Sequence, residues 1–380
     1  TTMVAADYFI IAVPTPLTHD KKPDLGHVFS AATALATVLQ KGNVVILEST
    51  VSVGTTQKLA DALAVATGLI AGQDFFVAHS PERVLPGKIF YELVHNDRIV
   101  GGINQESAAH AQLLYKRFVQ GALVTTDANT AEMVKLIENS ARDVEIAFAH
   151  QVASMSYAQG LDPYRVIELV NKHPRVKLLQ PTCGVGGHCL AVDPWFLVDS
   201  FPEHTGLIAA ARAINDAKPQ EVIARIDRVI EQWQKVHGRR CTLGLFGLTY
   251  KPNVDDVRES PALAIAQHYS KHVDSTVMIC EPYVKKNNAP AALQPLLASI
   301  TQVTKQADVL VFLVAHDQFK IIDVARLGDK KIIDYCGLLH RSDAPRAREQ
   351  ALFWPAVKIE AVSDPIFSDP ACPVQYKEEA

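Results

Sequence analysis

The sequence has no long apolar run, no excess of positive charge and few cysteines, and each absence excludes a class of protein. No hydrophobic stretch approaches the roughly 20 residues of a membrane-spanning helix. The 37 basic and 41 acidic residues give a net charge of −4, so we expect no nucleic-acid partner and no membrane partner. Six cysteines in 380 residues, with no CxxC pair, indicate neither a disulfide framework nor a zinc site. We therefore expect reduced thiols, no metal, no targeting segment and a cytoplasmic location.

The glycine fingerprint of dinucleotide-binding turns is also absent. None of the 19 glycines completes a GxGxxG pattern, and Gly244 with Gly247 gives only GxxG. If the first region binds a dinucleotide, the turn that holds the pyrophosphate is missing from this sequence.

What the sequence does contain is an alternation of strands and helices at both ends. In the first 125 residues we predict strands at 8–13, 43–47, 74–78, 97–101 and 122–125, with helices at 26–40, 55–67 and 106–120. After residue 240 we predict strands at 241–247, 276–280, 308–314 and 331–335, with helices at 261–271 and 291–299. Buried strands separated by helices predict parallel sheets.

The middle of the chain is predicted to be a helical spine. Apolar residues recur at helical spacing over 130–160, and further helices are predicted at 163–172 and 204–236, the last interrupted near Lys218–Pro219. The fold class is therefore α/β, with two Rossmann-like parallel-sheet domains joined by a long helical spine. We predict no structure for the Pro-rich tail after Trp354.

A glycine-rich segment, Gly184-Val185-Gly186-Gly187-His188-Cys189, is the sharpest chemical signal. Its glycines allow a close approach of backbone and ligand and place Cys189 at the mouth of a loop. Asp193, which precedes a proline, is expected to face the same space. A thiol beside a carboxylate suits covalent catalysis, although a structural cysteine next to a helix cap is the alternative.

Lys135 and Asn139 lie one helical turn apart on the spine. A cation and an amide donor on one face could stabilise an oxyanion, whereas a solvated helix face is the alternative.

Several strand-end loops carry polar groups. Three follow strands of the first sheet: Val13-Pro14-Thr15-Pro16, Glu48-Ser49-Thr50 and Ser80-Pro81-Glu82-Arg83-Val84-Leu85-Pro86-Gly87. Because ligands bind at the carboxyl ends of parallel strands, we interpret these loops as a cofactor crevice.

Three cations stand at positions suited to phosphate. Lys251 and Arg258 follow the first strand of the second sheet, in a segment where Ser260 and Pro261 start a helix. Arg175 lies on the connection to the Cys189 loop and could add a phosphate or sugar contact.

Taken together, these motifs resemble the UDP-glucose/GDP-mannose dehydrogenase family. The resemblance is carried by GVGGHCLAVDPWF, EMVKLIENSARDVEIAFAH, SPERVLPG and GLTYKPNVDDVRESPA, runs from Thr1 to about Gly337, and is nearest to the branch that oxidises UDP-N-acetyl-D-mannosamine. It implies an NAD-dependent, four-electron oxidation of a sugar C6 alcohol to a carboxylate, for surface polysaccharide biosynthesis.

The resemblance also assigns roles. Cys189 would be the nucleophile, Lys135 and Asn139 the oxyanion site, Asp193 the group that orients or deprotonates water, and Glu82 its assistant in hydrolysis. Lys135 would in addition lower the pKa of the thiol. The implied cofactor contacts are Val13, Thr15, Thr50, Glu82 and Arg258, and the implied substrate contacts are Arg175, Gly186 and Lys251.

The implied organisation has four parts and a homodimer formed through the central helices. We expect a partial NAD-binding Rossmann domain at 1–125, a central helical domain at 126–220, a nucleotide-sugar-binding domain at 221–345 and a tail at 346–380. Relatives place a GxGxxG turn before the position of Thr1, which implies that about 70 residues of the first domain are absent and that NAD binds poorly to the chain as written.

Other interpretations remain open at this stage. A non-catalytic nucleotide-sugar-binding or oligomerising subunit, another UDP-sugar 6-dehydrogenase, and a two-electron hydroxyacid dehydrogenase each fit part of the pattern.

Overall fold

The fold is described from a computed structural model covering residues 3–84, 88–271 and 276–339. The predicted tail and part of the SPERVLPG motif lie outside these residues. Within them, no helix combines the length and the apolar character that a bilayer crossing requires.

The first sheet has five strands in the order β1-β2-β3-β4-β5. The strands are β1 Tyr8–Ile11, β2 Val44–Leu47, β3 Phe76–His79, β4 Arg98–Gly102 and β5 Leu123–Asp127, and the helices are α1 Gly26–Ala36, α2 Thr55–Thr67, α3 Ile89–His95 and α4 Gln105–Tyr115. All four residues of β2 are buried, as expected for a strand covered on both faces.

One pair of strands departs from the predicted all-parallel sheet. β3 and β4 are antiparallel, with Ala78 opposite Gly102. In the described part of the chain between them, the one helix is the seven-residue α3, which has no buried residue. Two parallel strands need a longer crossover that packs on the sheet. Because this connection has only a short exposed helix, the two strands pair antiparallel.

The central region is helical, as predicted. It comprises α5 Ala128–Ala158, α6 Pro163–Val170, α7 Asp193–Ser200 and α8 Gly206–His237. The predicted break in the last helix is wrong, since α8 continues through Pro219. Side chains on both sides of the proline bind α5. Before it, Asn215 donates to the Asp143 carbonyl at 2.9 Å, and after it, Glu221 accepts from Ser154 at 3.0 Å. These contacts hold the helix where the proline removes a backbone hydrogen bond.

The second sheet is parallel throughout, in the order β7-β6-β8-β9. Its elements are β6 Thr242–Phe246, α9 Pro261–Lys271, β7 Thr276–Cys280, α10 Ile300–Gln306, β8 Val309–Phe312 and β9 Lys331–Asp334. The predicted helix at 291–299 is wrong. Helix α10 begins only after Ser299, whose side chain forms a capping box with Gln302.

Helix α8 joins the two halves of the molecule. Its first half contacts α5, and apolar residues of its second half, Val222, Ile226 and Trp233, belong to the core of the second sheet. The loop between α6 and α7 is thereby held beside both units, and that loop contains Cys189.

Candidate functional site

Cys189 differs from the other cysteines that the structure describes. It is exposed, whereas four others are buried: Cys183, Cys241, Cys280 and Cys336. The Cys189 carbonyl accepts hydrogen bonds from the backbone N–H groups of Val192 (3.0 Å) and Asp193 (2.8 Å). This turn leads directly into α7 and fixes the cysteine immediately before the helix.

Helix α5 brings a cation and an amide to the same place. Asn139 donates to an Asp193 carboxylate oxygen at 2.5 Å, and Asp193 is only 3% exposed. Lys135, one turn earlier on α5, is also buried and acts electrostatically on both Asp193 and Cys189. The structure thus brings together Cys189, Lys135, Asn139 and Asp193, which lie in two separate segments of the sequence.

The carboxyl of Asp193 has an unusual pKa. Burial raises it to about 6, against the opposing effects of the Lys135 charge and the Asn139 hydrogen bond. A carboxyl with this pKa can change its protonation state near neutral pH.

Opposing effects set the pKa of the Cys189 thiol. Partial burial in the crowded loop, and then the Asp193 carboxylate, raise its pKa above the usual value. Lys135 acts in the predicted direction, lowering the pKa, and the Arg258 charge adds to its effect, but together they do not outweigh burial. Lys135 therefore lowers the pKa of the thiol as predicted, while burial keeps that pKa above the usual value of a cysteine.

The glycines before Cys189 accommodate protein atoms. A Cβ on Gly186 would lie 2.3 Å from the Glu259 carbonyl oxygen and 2.8 Å from the Pro261 ring. Gly187 has a φ of +86°, and a Cβ there would meet the Tyr250 ring. The predicted close approach of backbone is found at Gly186, where the segment leading into α9 fills the space of a side chain, and the substrate contact of Gly186 stays a prediction.

The segment after β6 carries two of the predicted cations toward the loop. The exposed Arg258 guanidinium binds both Asp256 carboxylate oxygens, at 2.9 and 2.7 Å, and its charge acts on Cys189. The Lys251 amine lies 5.5 Å from the ring centroid of Tyr250, the residue that packs on Gly187. Both cations are therefore near the glycine loop.

A buried pair, missed by the sequence analysis, holds this segment. Glu281 and His316 are fully buried, with 3.2 Å between the His316 Nε2 and a Glu281 oxygen. The Asn253 backbone N–H donates to His316 Nδ1 at 2.9 Å, so Nε2 carries the ring hydrogen. The two residues end different strands, so only the sheet order brings them together.

The loops after β1 and β2 are bound to each other. The Val13 backbone N–H donates to the Ser49 hydroxyl at 2.8 Å, and the Thr15 hydroxyl donates to the Thr50 carbonyl at 2.7 Å. Three of the predicted cofactor residues, Val13, Thr15 and Thr50, therefore share one strand edge.

Glu82 lies at the end of β3, and its carboxylate is already engaged. One oxygen accepts the backbone N–H groups of Arg83 (2.6 Å) and Val84 (2.7 Å), and the other lies 3.7 Å from Arg98. Arg98 also binds Glu48 at 2.9 Å. Among the contacts of the described residues, none joins Glu82 to Cys189.

Arg175 is not brought to the cluster. It is exposed after α6, and its backbone N–H contacts His173 at 3.3 Å. The substrate contact that the resemblance assigns to Arg175 stays a prediction.

Two further buried residues near Lys135 escaped the sequence analysis. Burial, together with the nearby Lys135 charge, lowers the pKa of His79 to about 3 against the opposing effect of the Leu47 backbone. Glu132, one turn before Lys135, accepts the backbone N–H groups of Gly54 (2.6 Å) and Thr56 (2.7 Å) at the start of α2. A glutamate in an amphipathic helix carries no local sign of such a contact.

The chain matches three domain models of one family. Residues 1–119 match the NAD-binding domain of the UDP-glucose/GDP-mannose dehydrogenase family, residues 129–217 its central domain and residues 244–341 its UDP-binding domain.

Curated relatives and solved structures agree with this match. The chain is 45% identical over 341 residues to the NDP-N-acetyl-D-galactosaminuronic acid dehydrogenase of Ralstonia nicotianae (88% of this chain, 79% of the relative). It is 43% identical over 350 residues to the UDP-N-acetyl-D-mannosamine dehydrogenase of Salmonella typhimurium (89% and 83%). It superposes on the UDP-D-ManNAc dehydrogenase of Pyrococcus horikoshii with a TM-score of 0.79 at 40% identity (90% and 79%).

Proposed function

The chain belongs to the UDP-glucose/GDP-mannose dehydrogenase family, and from this premise we propose that it oxidises the C6 alcohol of a UDP-N-acetylhexosamine to the uronic acid. The NAD-binding and UDP-binding domains are both matched, so the chain is an NAD-dependent UDP-sugar dehydrogenase. UDP-N-acetyl-D-mannosamine is the preferred substrate of the proposal. The galactosaminuronic acid enzyme among the relatives makes another epimer the alternative.

The described residues suit the nicotinamide half of NAD better than its pyrophosphate. The linked loops with Val13, Thr15 and Thr50 offer hydroxyl and backbone groups suited to a ribose or a carboxamide. A pyrophosphate needs free backbone N–H groups at a helix start, and in the described part of the chain Glu132 already occupies those of α2. The proposal therefore assigns the three loop residues to the nicotinamide half of the cofactor.

The observation that carries the proposal is the convergence of Cys189, Lys135, Asn139 and Asp193. An exposed thiol beside a buried amine, an amide and a carboxyl of raised pKa suits covalent capture of an aldehyde. A two-electron dehydrogenase has no use for the thiol.

The proposed chemistry has two oxidations and a hydrolysis. The first oxidation removes a hydride and a proton from the alcohol and leaves the C6 aldehyde. The Cys189 thiolate then adds to C6, and Lys135 and Asn139 stabilise the oxyanion of the thiohemiacetal. A second hydride loss gives a thioester. Water adds, the C–S bond breaks, and the carboxylate leaves while the thiolate is restored. NAD, when bound, would supply the hydride acceptor, one molecule for each of the two oxidations.

Proton transfer falls to Asp193 in this scheme. With a pKa of about 6, its carboxylate accepts a proton from the attacking water and releases it to solvent. Glu82 stays a predicted assistant in this step, and its contact with Arg98 would hold it at the end of β3.

Turnover of a panel of UDP-hexoses and UDP-N-acetylhexosamines tests the proposal, scored as NADH formed per sugar consumed. We expect two NADH per sugar, with N-acetylmannosamine preferred. Cys189→Ser should stop after the first oxidation, whereas Cys183→Ser, a buried matched control, should keep the ratio of two. One NADH per sugar, or full conversion by Cys189→Ser, would contradict the mechanism.

A homodimer through the central helices remains part of the proposal. Helix α5 exposes about half of each of Ile137, Phe148 and Met155, spaced 11 and 7 residues apart and hence on one face. Sedimentation velocity of the full chain should give twice its 41.5 kDa mass, and a single-chain mass would contradict this part. A cytoplasmic location and a role in surface polysaccharide synthesis also stay predictions, testable by cell fractionation and by loss of the polymer in a deletion strain.

A further inference from the structure

A buried guanidinium lies directly behind the Cys189 loop. Arg212 of α8 is 1% exposed, and its Nη1 donates to an Asp143 oxygen at 2.6 Å and to the Leu190 carbonyl at 3.2 Å. Leu190 follows Cys189 directly. The backbone of the nucleophile loop is therefore bound by a charged group of a long helix.

Two carboxylates fix the orientation of this guanidinium. Asp143, fully buried on α5, accepts from Arg212 and also from Asn215 at 2.8 Å. Asp216, one turn after Arg212, binds the second guanidinium nitrogen. Because Arg212 is held from two sides, it cannot leave the Leu190 carbonyl without breaking ion pairs inside the protein.

The network extends to the first unit. The second Asp216 oxygen accepts from the Lys21 amine at 2.9 Å, and this amine lies 4.1 Å from the ring centroid of Trp195 on α7. Lys21 belongs to the connection between β1 and α1, which also carries Thr15. Arg212 thus lies between the loop assigned to the cofactor and the loop that bears the thiol.

We propose that Arg212, oriented by Asp143 and Asp216, is a positioning residue that holds the Cys189 loop in place through the Leu190 carbonyl. The proposal rests on the proposed function, in which Cys189 is the nucleophile. With the carbonyl held, the turn Cys189–Asp193 stays closed and the sulfur stays beside Asp193 and Lys135. Without this bond, the loop opens and the sulfur moves away from Asp193 and Lys135.

The test compares Arg212→Lys and Arg212→Met with Lys218→Met. Lysine keeps the buried charge opposite Asp143 but lacks the planar fork that reaches several acceptors at once. Lys218 is a matched control, since it is 2% exposed, lies on the same helix and pairs with Glu221 at 2.9 Å, whereas the Leu190 carbonyl is bound by Arg212. Far-UV circular dichroism and thermal unfolding establish which variants fold.

Two readouts report on the loop itself. The first is the rate of iodoacetamide alkylation of Cys189 as a function of pH, measured on its peptide by mass spectrometry. The second is hydrogen exchange of the Val192 and Asp193 amides, which bind the Cys189 carbonyl. In Arg212→Lys we expect about tenfold faster exchange and a lower alkylation pKa, because the opened loop moves the thiol away from the Asp193 carboxylate, which raises its pKa.

The outcomes separate positioning from general stability. Folded Arg212→Lys with the wild-type pH profile and exchange would overturn the proposal, as would an equal change in Lys218→Met. If Arg212→Met does not fold, the lysine variant alone decides. Failure of the proposed function would show instead in the wild-type NADH stoichiometry, which neither loop readout uses.

Discussion

The carboxyl ends of the two sheets are organised differently. In the first sheet, charged side chains bind one another and the backbone: Glu132 occupies the start of α2, and Arg98 joins Glu48 to Glu82. In the second sheet, the buried Glu281–His316 pair lies below the segment that follows β6. That segment leaves Arg258 exposed and Lys251 partly exposed.

The difference lies in what the charged groups bind: in the first sheet they bind one another and the backbone, and in the second a buried pair holds a segment that carries cations at the surface. At the carboxyl end of the first sheet (the first crevice), the charged side chains pair with one another or bind the backbone, so few of them are left to bind an anion. At the carboxyl end of the second sheet (the second crevice), the buried pair accepts from the backbone, Arg258 is exposed and bound to Asp256, and Lys251 is the cation that the proposal assigns to a phosphate. The Cys189 loop lies where elements of both halves meet, with α5 on one side and the segment 250–261 on the other.

Of the predicted changes, the removal of Glu132 from the first crevice should have the largest effect, a loss of folding stability. Glu132→Ala leaves the N–H groups of Gly54 and Thr56 and the Thr56 hydroxyl without their acceptor in a buried place. We expect the free energy of unfolding to fall by about 4 kcal/mol. Urea denaturation followed by circular dichroism measures it, with the exposed Glu145→Ala on the same helix as control. A loss no larger than that of the control would contradict the assigned cap.

At the boundary between the crevices, Asp193→Asn should stabilise the fold at pH 7 by about 2 kcal/mol while abolishing turnover. Burial raises the pKa of this carboxyl to about 6, against about 4 in an unfolded chain. The folded chain keeps the proton between these values while the unfolded chain has lost it, so the free energy of unfolding falls as the pH rises from about 4 to about 6.

The measurement for Asp193 is a series of urea denaturations between pH 4 and pH 8. The gain in Asp193→Asn should shrink toward pH 4, where the wild-type carboxyl is protonated in both states. Asp127→Asn is the contrasting control, because hydrogen bonds from Thr130 lower the pKa of Asp127. A variant less stable than wild type at pH 7 would show that the Asp193 charge is not penalised by burial.

The smallest expected effect is on UDP affinity at the second crevice. Lys251→Met should weaken UDP binding about tenfold, measured by calorimetry, and should reduce its salt dependence, because one partly exposed cation near a phosphate contributes modestly. Lys235→Met, an exposed lysine on α8, should leave the affinity unchanged. Equal affinities in the wild type and Lys251→Met would remove this residue from the nucleotide site.

The sequence predicted the elements with strong local signals and failed where distant partners decide. The helix predicted over 130–160 follows from the periodicity of its apolar residues and is found as α5. The antiparallel pairing of β4 with β3 depended on the packing of the short connection between these strands. The continuity of α8 through Pro219 depended on contacts with α5. The Glu281–His316 pair could not be predicted, because its members come from different strands.

By itself the sequence determined the α/β class, the family, and Cys189, Lys135 and Asn139 as candidates, since motif and spacing are properties of neighbouring residues. Only the tertiary structure decided that Asp193 has a raised pKa, that protein atoms fill the space beside Gly186, and that Arg212 binds the nucleophile loop. Burial and long-range hydrogen bonds set these features, and both depend on which distant segments the fold packs together.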